Sequence, residues 1–333
     1  MKIQLGCKFE EIIAVENLLE AWKEFLRGKQ LKADVQEFQF HFMDNLLDLH
    51  FDLANLTYKH GEYQAFNICD PKPCNIHKAS VRDRLLHHAI YRKLYPFFDR
   101  TFIADSFSCR DDKGTHEAAY RFRKFFYQVS KNNTRTCWVL KCDIRKFFAN
   151  IDHQILFDVL CTNISDLKIL QLLKIIIDSF HTSPGVGLPL GNLTSQLLVN
   201  IYLNELDQFA KHKMKAKFYA RYADDFVLLS DNKKDLEQKI ILIRKFLWDH
   251  LKLELHSKKV SIETIASGVD FLGWVHFPHH KILRTTTKRR MMKNLEKNQS
   301  IETVASYLGL LSHGNTHGLK KKILSRIENS HPS

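Results

Sequence analysis

Two apolar, aromatic-rich runs, Lys217-Phe218-Tyr219-Ala220-Arg221-Tyr222 and Phe226-Val227-Leu228-Leu229-Ser230, are separated only by Ala223, Asp224 and Asp225. Runs of this composition joined by so short a connection read as a β-hairpin carrying two adjacent carboxylates at its tip. An Asp-Asp turn alone reads as solvated and structural. A carboxylate further upstream changes that reading. Trp138-Val139-Leu140-Lys141-Cys142 is a short apolar run ending at Asp143, and Ile155, Leu156, Val159 and Leu160 follow at helical spacing with Asp152 placed to cap them. Asp143 thus stands at a strand end, where side chains from several elements converge. Crowded carboxylates repel one another unless a cation neutralises them, and hard cations take oxygen ligands. Two magnesium ions, or manganese in their place, suit that need, with Asp143 and Asp224 bridging both and Asp225 in support.

Asp143 with its aromatic pair Phe147-Phe148, the Tyr222-Ala223-Asp224-Asp225 box and the segments around them resemble the reverse transcriptase family, from about Asp70 to about Leu319. Between the carboxylates lies Gly185-Val186-Gly187-Leu188-Pro189-Leu190-Gly191-Asn192-Leu193-Thr194-Ser195-Gln196, leading into an apolar helix through Leu197, Leu198, Ile201 and Leu203. Most members of the family carry Gln-Gly and Ser-Pro where this chain has Leu190-Gly191 and Ser195-Gln196. The Gly-Asn-Leu-Thr-Ser-Gln form is similar to that of reverse transcriptases of diversity-generating retroelements. So are Cys109-Arg110-Asp111-Asp112-Lys113-Gly114-Thr115-His116, Asp83-Arg84-Leu85-Leu86-His87-His88-Ala89 and Ser306-Tyr307-Leu308-Gly309.

The resemblance implies an α+β right-hand polymerase fold with fingers, a palm built on a ferredoxin-like antiparallel sheet with packed helices, and a helical thumb. Residues 1–65 would form an N-terminal helical extension, 66–275 the fingers and palm, and 276–333 the thumb. It implies an RNA-directed DNA polymerase that works on template RNA, a cDNA or primer strand and deoxynucleoside triphosphates, together with the small basic accessory protein of the subgroup. Asp143, Ile144, Asp224 and Asp225 would be the metal ligands. Lys259, preferred to its neighbour Lys258, would donate a proton to the leaving pyrophosphate. Phe148 would be an aromatic gate against the ribose 2′-hydroxyl, with Phe147 in the core. Leu190, Gly191 and Gln196 would line the nucleotide site, and an aliphatic Leu190 would remove a hydrogen-bonding partner and raise errors at template adenines. Lys72, Lys78, Arg82 and Arg84 are the candidate triphosphate cations, the two arginines sharing one side of an incipient strand. Relatives usually carry a basic residue where Cys74 stands. Arg110, Lys113 and His116 would track the template backbone or else brace the Gly114-Thr115 turn. Phe271-Leu272-Gly273-Trp274 matches a primer-grip hairpin.

Composition agrees without deciding. A 333-residue chain that is 44% hydrophobic can bury a large core in two or three lobes, and a formal charge of +13 suits a polyanionic partner. Seven cysteines without a Cys-x-x-Cys pair read as reduced thiols of a cytoplasmic protein. The Cys69, Cys74 and His77 spacing matches no standard zinc site. Glu10, Glu11 and Glu16 rule the N-terminus out as a signal peptide, and Lys or Gln interrupts the most apolar stretch, Ile169 to Ile177, so no membrane span is expected.

The apolar spacing predicts one helix from Phe9 to Leu26, another from Phe38 to Leu56, a rigid Asp70-Pro71-Lys72-Pro73 loop, and a helix through Ile240, Ile243, Leu247 and Leu251 capped by Asp231 or Asn232. Lys288, Arg289, Arg290, Lys293, Lys320, Lys321, Lys322 and Arg326 surround apolar Ile301, Val304, Tyr307, Leu308 and Leu311, the pattern of helices that lay cations along a duplex. Two other readings stay open: a reverse transcriptase of a phage-defence system or retron, and a catalytically idle RNA-binding scaffold.

Overall fold

The computed structural model describes residues 4–68 and 74–330. Cys69, the 70–73 loop with Lys72, and the side chains of Cys74 and Arg326 lie outside the described residues. The first predicted helix is two: α1 (Phe9–Ile13) and α2 (Val15–Leu26). The chain turns at Ala14, and the buried Asn17 amide donates to the carbonyls of Ile12 and Ala89, taking over an acceptor that a continuous helix would have satisfied. The second is also two, α3 (Ala33–Phe40) and α4 (Phe42–Ala54), broken at His41.

A two-stranded ladder, β1 (Gln64–Ile68) with β2 (Cys74–Lys78), precedes α5 (Val81–Thr101). The strand expected at Arg82 and Arg84 is therefore the first turn of a long helix. Ser80 accepts a hydrogen bond from the Asp83 amide at 3.1 Å, so the local cap overrides the alternation of the two arginines. After α6 (Thr115–Val129) comes β3 (Trp138–Asp143), then α7 (His153–Cys161), capped by Asp152 as expected, α8 (Leu167–Asp178) and α9 (Leu193–Gln208). The predicted hairpin follows as β4 (Tyr219–Tyr222) and β5 (Asp225–Ser230), then α10 (Lys233–Leu251), capped by Asn232, and β6 (Ser261–Thr264).

These strands make one antiparallel sheet in the order β4-β5-β3-β6. Alternation along the strands buries both faces. Leu140, Cys142, Phe226 and Leu228 enter a large core shared with the N-terminal helices, α5 and α9, while Val139, Val227 and Leu229 enter a second core with Phe122 and Phe126 of α6. A three-stranded antiparallel sheet, β7 (Val269–Phe271), β8 (Trp274–His276) and β9 (Lys281–Leu283), leads to α11 (Thr285–Lys297), α12 (Ile301–Leu311) and α13 (His317–Ser330). Trp274, Leu283, Met291, Leu295, Leu311 and Ile323 form a third core. Among the described residues no helix is long and apolar enough to cross a membrane.

Candidate active site

The sheet brings the three aspartates together. Asp143, the last residue of β3, is the register partner of Asp225, the first of β5, and Tyr222 pairs with Asp225 from the other side. Ala223 and Asp224 are left as a two-residue turn with Ala223 in the left-handed region at φ +52°. The turn is tied to β3, because the Ile144 amide donates to the Asp224 carbonyl at 3.2 Å. The Asp143 carbonyl accepts from the His256 amide at 2.8 Å, which draws the following loop across the strand end. Burial pushes the Asp225 carboxyl up to about 6, against the pull of Lys141, and the charges of Asp224 and Asp143 raise it further.

From that loop Lys259 reaches Asp143, its ammonium 2.9 and 2.8 Å from the two carboxylate oxygens. Sequence reading favours Lys259 over Lys258, and Lys259 is the one that points into the site. Its contact is the carboxylate itself. Among the described residues no three His, Cys, Asp or Glu side chains stand close enough together to hold an ion between them. By its chemistry the donor set nonetheless fits a hard divalent cation. Three carboxylates share one end of the sheet, one of them has its proton affinity raised, and a lysine ammonium already lies on another.

Shortly after Asp143 in the chain, Phe148 lies half-buried in a 3-10 turn and its carbonyl accepts from the Leu188 amide at 2.8 Å, while Phe147 is 3% exposed and belongs to the core. The Leu190-Gly191 loop rests on β2: the His77 amide donates to the Leu190 carbonyl at 3.0 Å, and a Cβ on Gly191 would stand 2.8 Å from the Ile76 side chain. Leu190 and Gln196 are half-buried, and Thr194 and Ser195 face the core. Thr194 is held by a buried polar chain in which its hydroxyl meets His87 Nδ1 at 2.5 Å and His87 Nε2 meets His60 at 3.1 Å. Burial pushes the His87 imidazole down to about 3, so it is neutral there.

Residues 71–276 match the family described as reverse transcriptase (RNA-dependent DNA polymerase). The chain belongs to that family. It is similar to the protein YkfC of Escherichia coli strain K12, 26% identical over an alignment of 274 positions that covers 70% of each chain. It is also similar to the group II intron-encoded protein LtrA of Lactococcus lactis subsp. cremoris, 24% identical over 261 residues, 58% of this chain and 42% of LtrA. The family implies the right-hand polymerase fold, an RNA-directed DNA polymerase activity with RNA template, primer and deoxynucleotides as its partners, and divalent metal ions.

Several residues expected at the nucleic acid make contacts within the protein. Arg82 pairs with Asp52 of α4, and Arg84 with Asp34 of α3, which Lys78 also reaches at 2.7 Å. These cations fasten the N-terminal helices to α5. The Arg110 guanidinium, 6% exposed, donates to Asp99 at 2.6 Å and to the carbonyls of Ile103, Ser106 and Asp99. Lys113 donates to the Ala104 carbonyl at 2.9 Å. The His116 ring lies against His313, 3.9 Å between centroids with the planes tilted by 32°, and so links α6 to the segment between α12 and α13. The Phe271-Leu272-Gly273-Trp274 hairpin is present, with Leu272 and Gly273 in the left-handed region at φ +52° and +84°.

Sequence reading missed what lies under the Ala223-Asp224 turn. Arg221 and Asp207 form an ion pair at 2.7 Å with neither side chain exposed, and Tyr219 donates to the same carboxylate at 2.7 Å. Burial works against the Arg221 charge, but Asp207 outweighs it and holds the guanidinium above its ordinary value. The one signal available was spacing. Tyr219 and Arg221 alternate onto one face of β4, and Asn200 and Asp207 stand seven positions apart on α9.

Proposed function

We propose that this reverse transcriptase makes cDNA by two-metal nucleotidyl transfer and does so with low fidelity at template adenines, as an enzyme of a diversity-generating retroelement. The nucleotidyl-transfer part of this reading rests above all on the register of β3 against β5, which sets Asp143 opposite Asp225 with Asp224 in the adjoining turn, and the low-fidelity part on Leu190 and the Gly191-to-Gln196 segment. Asp143, Asp224 and the Ile144 carbonyl would hold two magnesium ions, or manganese, supported by Asp225. Bound there, the ions supply Lewis acidity at the primer 3′-hydroxyl and neutralise triphosphate charge. Lys259, released from Asp143, would give a proton to the departing pyrophosphate as the 3′-oxygen, its own proton passed to water, joins the α-phosphorus and the bond to the bridging oxygen breaks. Phe148 bears on the sugar. Leu190, carried on a loop hydrogen-bonded to β2, presents an aliphatic surface to the nascent pair. The N-terminal helices would serve as an extension to fingers and palm, and α11 to α13 as the thumb.

Purified protein given magnesium, deoxynucleotides and a primed RNA of mixed sequence is expected to yield cDNA whose errors concentrate opposite adenine, with Leu190→Gln lowering that class of error. Asp224→Asn should cut extension by more than about 100-fold, beyond the usual cost of losing a residue that merely supports a metal ligand. Errors spread evenly over the template bases, unchanged in Leu190→Gln, would refute the diversification reading. They would favour a reverse transcriptase of an intron, retron or defence element, a second reading supported by the likeness to LtrA.

A further inference from the structure

Arg221 is the β4 residue directly before Tyr222, and all five of its guanidinium N–H groups have acceptors. Nε and Nη2 take the two oxygens of Asp207 at 2.8 and 2.7 Å, Nη2 also takes Ser106 Oγ at 3.1 Å, and Nη1 takes Asn200 Oδ1 at 3.2 Å and the Ala223 carbonyl at 3.1 Å. Asp207 and Asn200 belong to α9, and Asn200 is itself anchored by donating to the Ser108 carbonyl at 2.9 Å. Four of these contacts lock the guanidinium to the interior. The fifth reaches outward to the turn that carries Asp224.

That turn requires restraint. Ala223 has left-handed backbone, which a residue with a side chain adopts only where its surroundings impose it. Two hydrogen bonds hold the turn from outside the hairpin ladder, one from Arg221 to the Ala223 carbonyl and one, at 3.2 Å, from the Ile144 amide to the Asp224 carbonyl. A buried guanidinium needs an acceptor for each of its five donors, and here one of those acceptors is supplied by the turn that carries Asp224. Only arginine's planar fork can take a carboxylate with two donors while keeping a third donor on a carbonyl at its far side.

We propose that Arg221 is a positioning residue of the polymerase site: braced by Asp207, Asn200 and Ser106, it clamps the Ala223 carbonyl, fixes the direction of the Asp224 carboxylate, and thereby sets the affinity of the site for divalent cations. The proposal rests on the reading of the three aspartates as metal ligands. A partner that orients a ligand, when lost, lowers metal affinity without touching the metal.

Two full-length variants separate this role from a role in the fold. Arg221→Lys keeps the charge against Asp207 but lacks the fork. The pair Asp207→Asn with Arg221→Gln removes both buried charges together, so that no carboxylate is stranded. Each is compared with the wild type by thermal unfolding, by titration of the metal-stripped protein with Mn2+ followed by electron paramagnetic resonance, and by the magnesium and deoxynucleotide dependence of primer extension. The expected result is a folded protein whose Mn2+ affinity is about tenfold weaker. The magnesium needed for half-maximal extension should rise in step, and the half-saturating deoxynucleotide at saturating magnesium should stay unchanged. Folded variants with wild-type Mn2+ affinity would overturn the proposal, as would a uniform fall in extension with both half-saturation values intact. Failure of both variants to fold would assign Arg221 to the fold alone and overturn it too. A wild-type chain that neither binds Mn2+ nor extends a primer would strike at the reading of the aspartates themselves.

Discussion

Asp225 carries a conflict that its neighbours impose. Its carboxyl is raised from 3.8 to about 6, first by burial and then by Asp224 and Asp143, so in metal-free protein its ionised form opposes folding. The sign follows from linkage. A carboxyl whose folded value lies above its unfolded one penalises the fold progressively as pH climbs from about 4 to about 6, and constantly above that. Replacing it by a neutral isostere removes the penalty. Asp225→Asn is therefore expected to raise the stability of the metal-free protein at pH 7 by about 1–2 kcal/mol, a figure reduced for partial exposure. Unfolding scans in chelator should show the variant's advantage vanish toward pH 4, while primer extension falls. A variant that is no more stable than wild type at pH 7 would mean that the carboxylate is relieved by other means. At this scale Asp143 and Asp224 stood out because two separate apolar runs, each ending at acid, can bring carboxylates to one sheet end, where a single acidic turn would have read as solvated. Arg221 was not, because its meaning depends on Asp207 and Asn200, which only the packing of α9 beneath β4 supplies.

The loop after α8 meets β2 through one backbone hydrogen bond and one glycine. Gly191 stands at φ +111°, and a methyl group there would come within 2.8 Å of Ile76 Cγ2. Gly191→Ala should push the loop off the strand, cost about 1–3 kcal/mol as an overpacking change, and raise the half-saturating deoxynucleotide more than it lowers the maximal rate. A variant with unchanged nucleotide dependence would place the binding site elsewhere.

Elements set by local chemistry were legible in the sequence: the hairpin from its turn, α7 and α10 from their caps, α9 from its apolar run. Those decided by distant contacts were not. The break at Ala14 exists because Asn17 bonds to Ala89 of α5, and the start of α5 reads as a strand because Arg82 and Arg84 alternate. The Ser80 and Asp83 pair, at capping spacing, is the stronger signal of the two.

Charge and architecture meet at the scale of the whole molecule. The excess of +13 is shared with the exposed face of α11, where Lys288, Arg289 and Lys293 are all solvent-facing. If these cations lie along a template-primer duplex, replacing all three by alanine should flatten the dependence of binding on salt by about 0.7–0.9 in log-log slope for each phosphate no longer neutralised, and leave extension at low salt largely intact. An unaltered slope would turn that face toward another partner. The three cores are not sealed from one another. Phe271 packs in the second and Trp274 in the third, yet the two are register partners across a turn of two residues, and Gly314, between α12 and α13, sits so close to the Trp274 ring that a Cβ there would overlap it. That hairpin is a rivet between two bodies: with Phe271 seated in one core and Trp274 in the other, the turn at Leu272 and Gly273 takes its place from both, and loosening either core would loosen it.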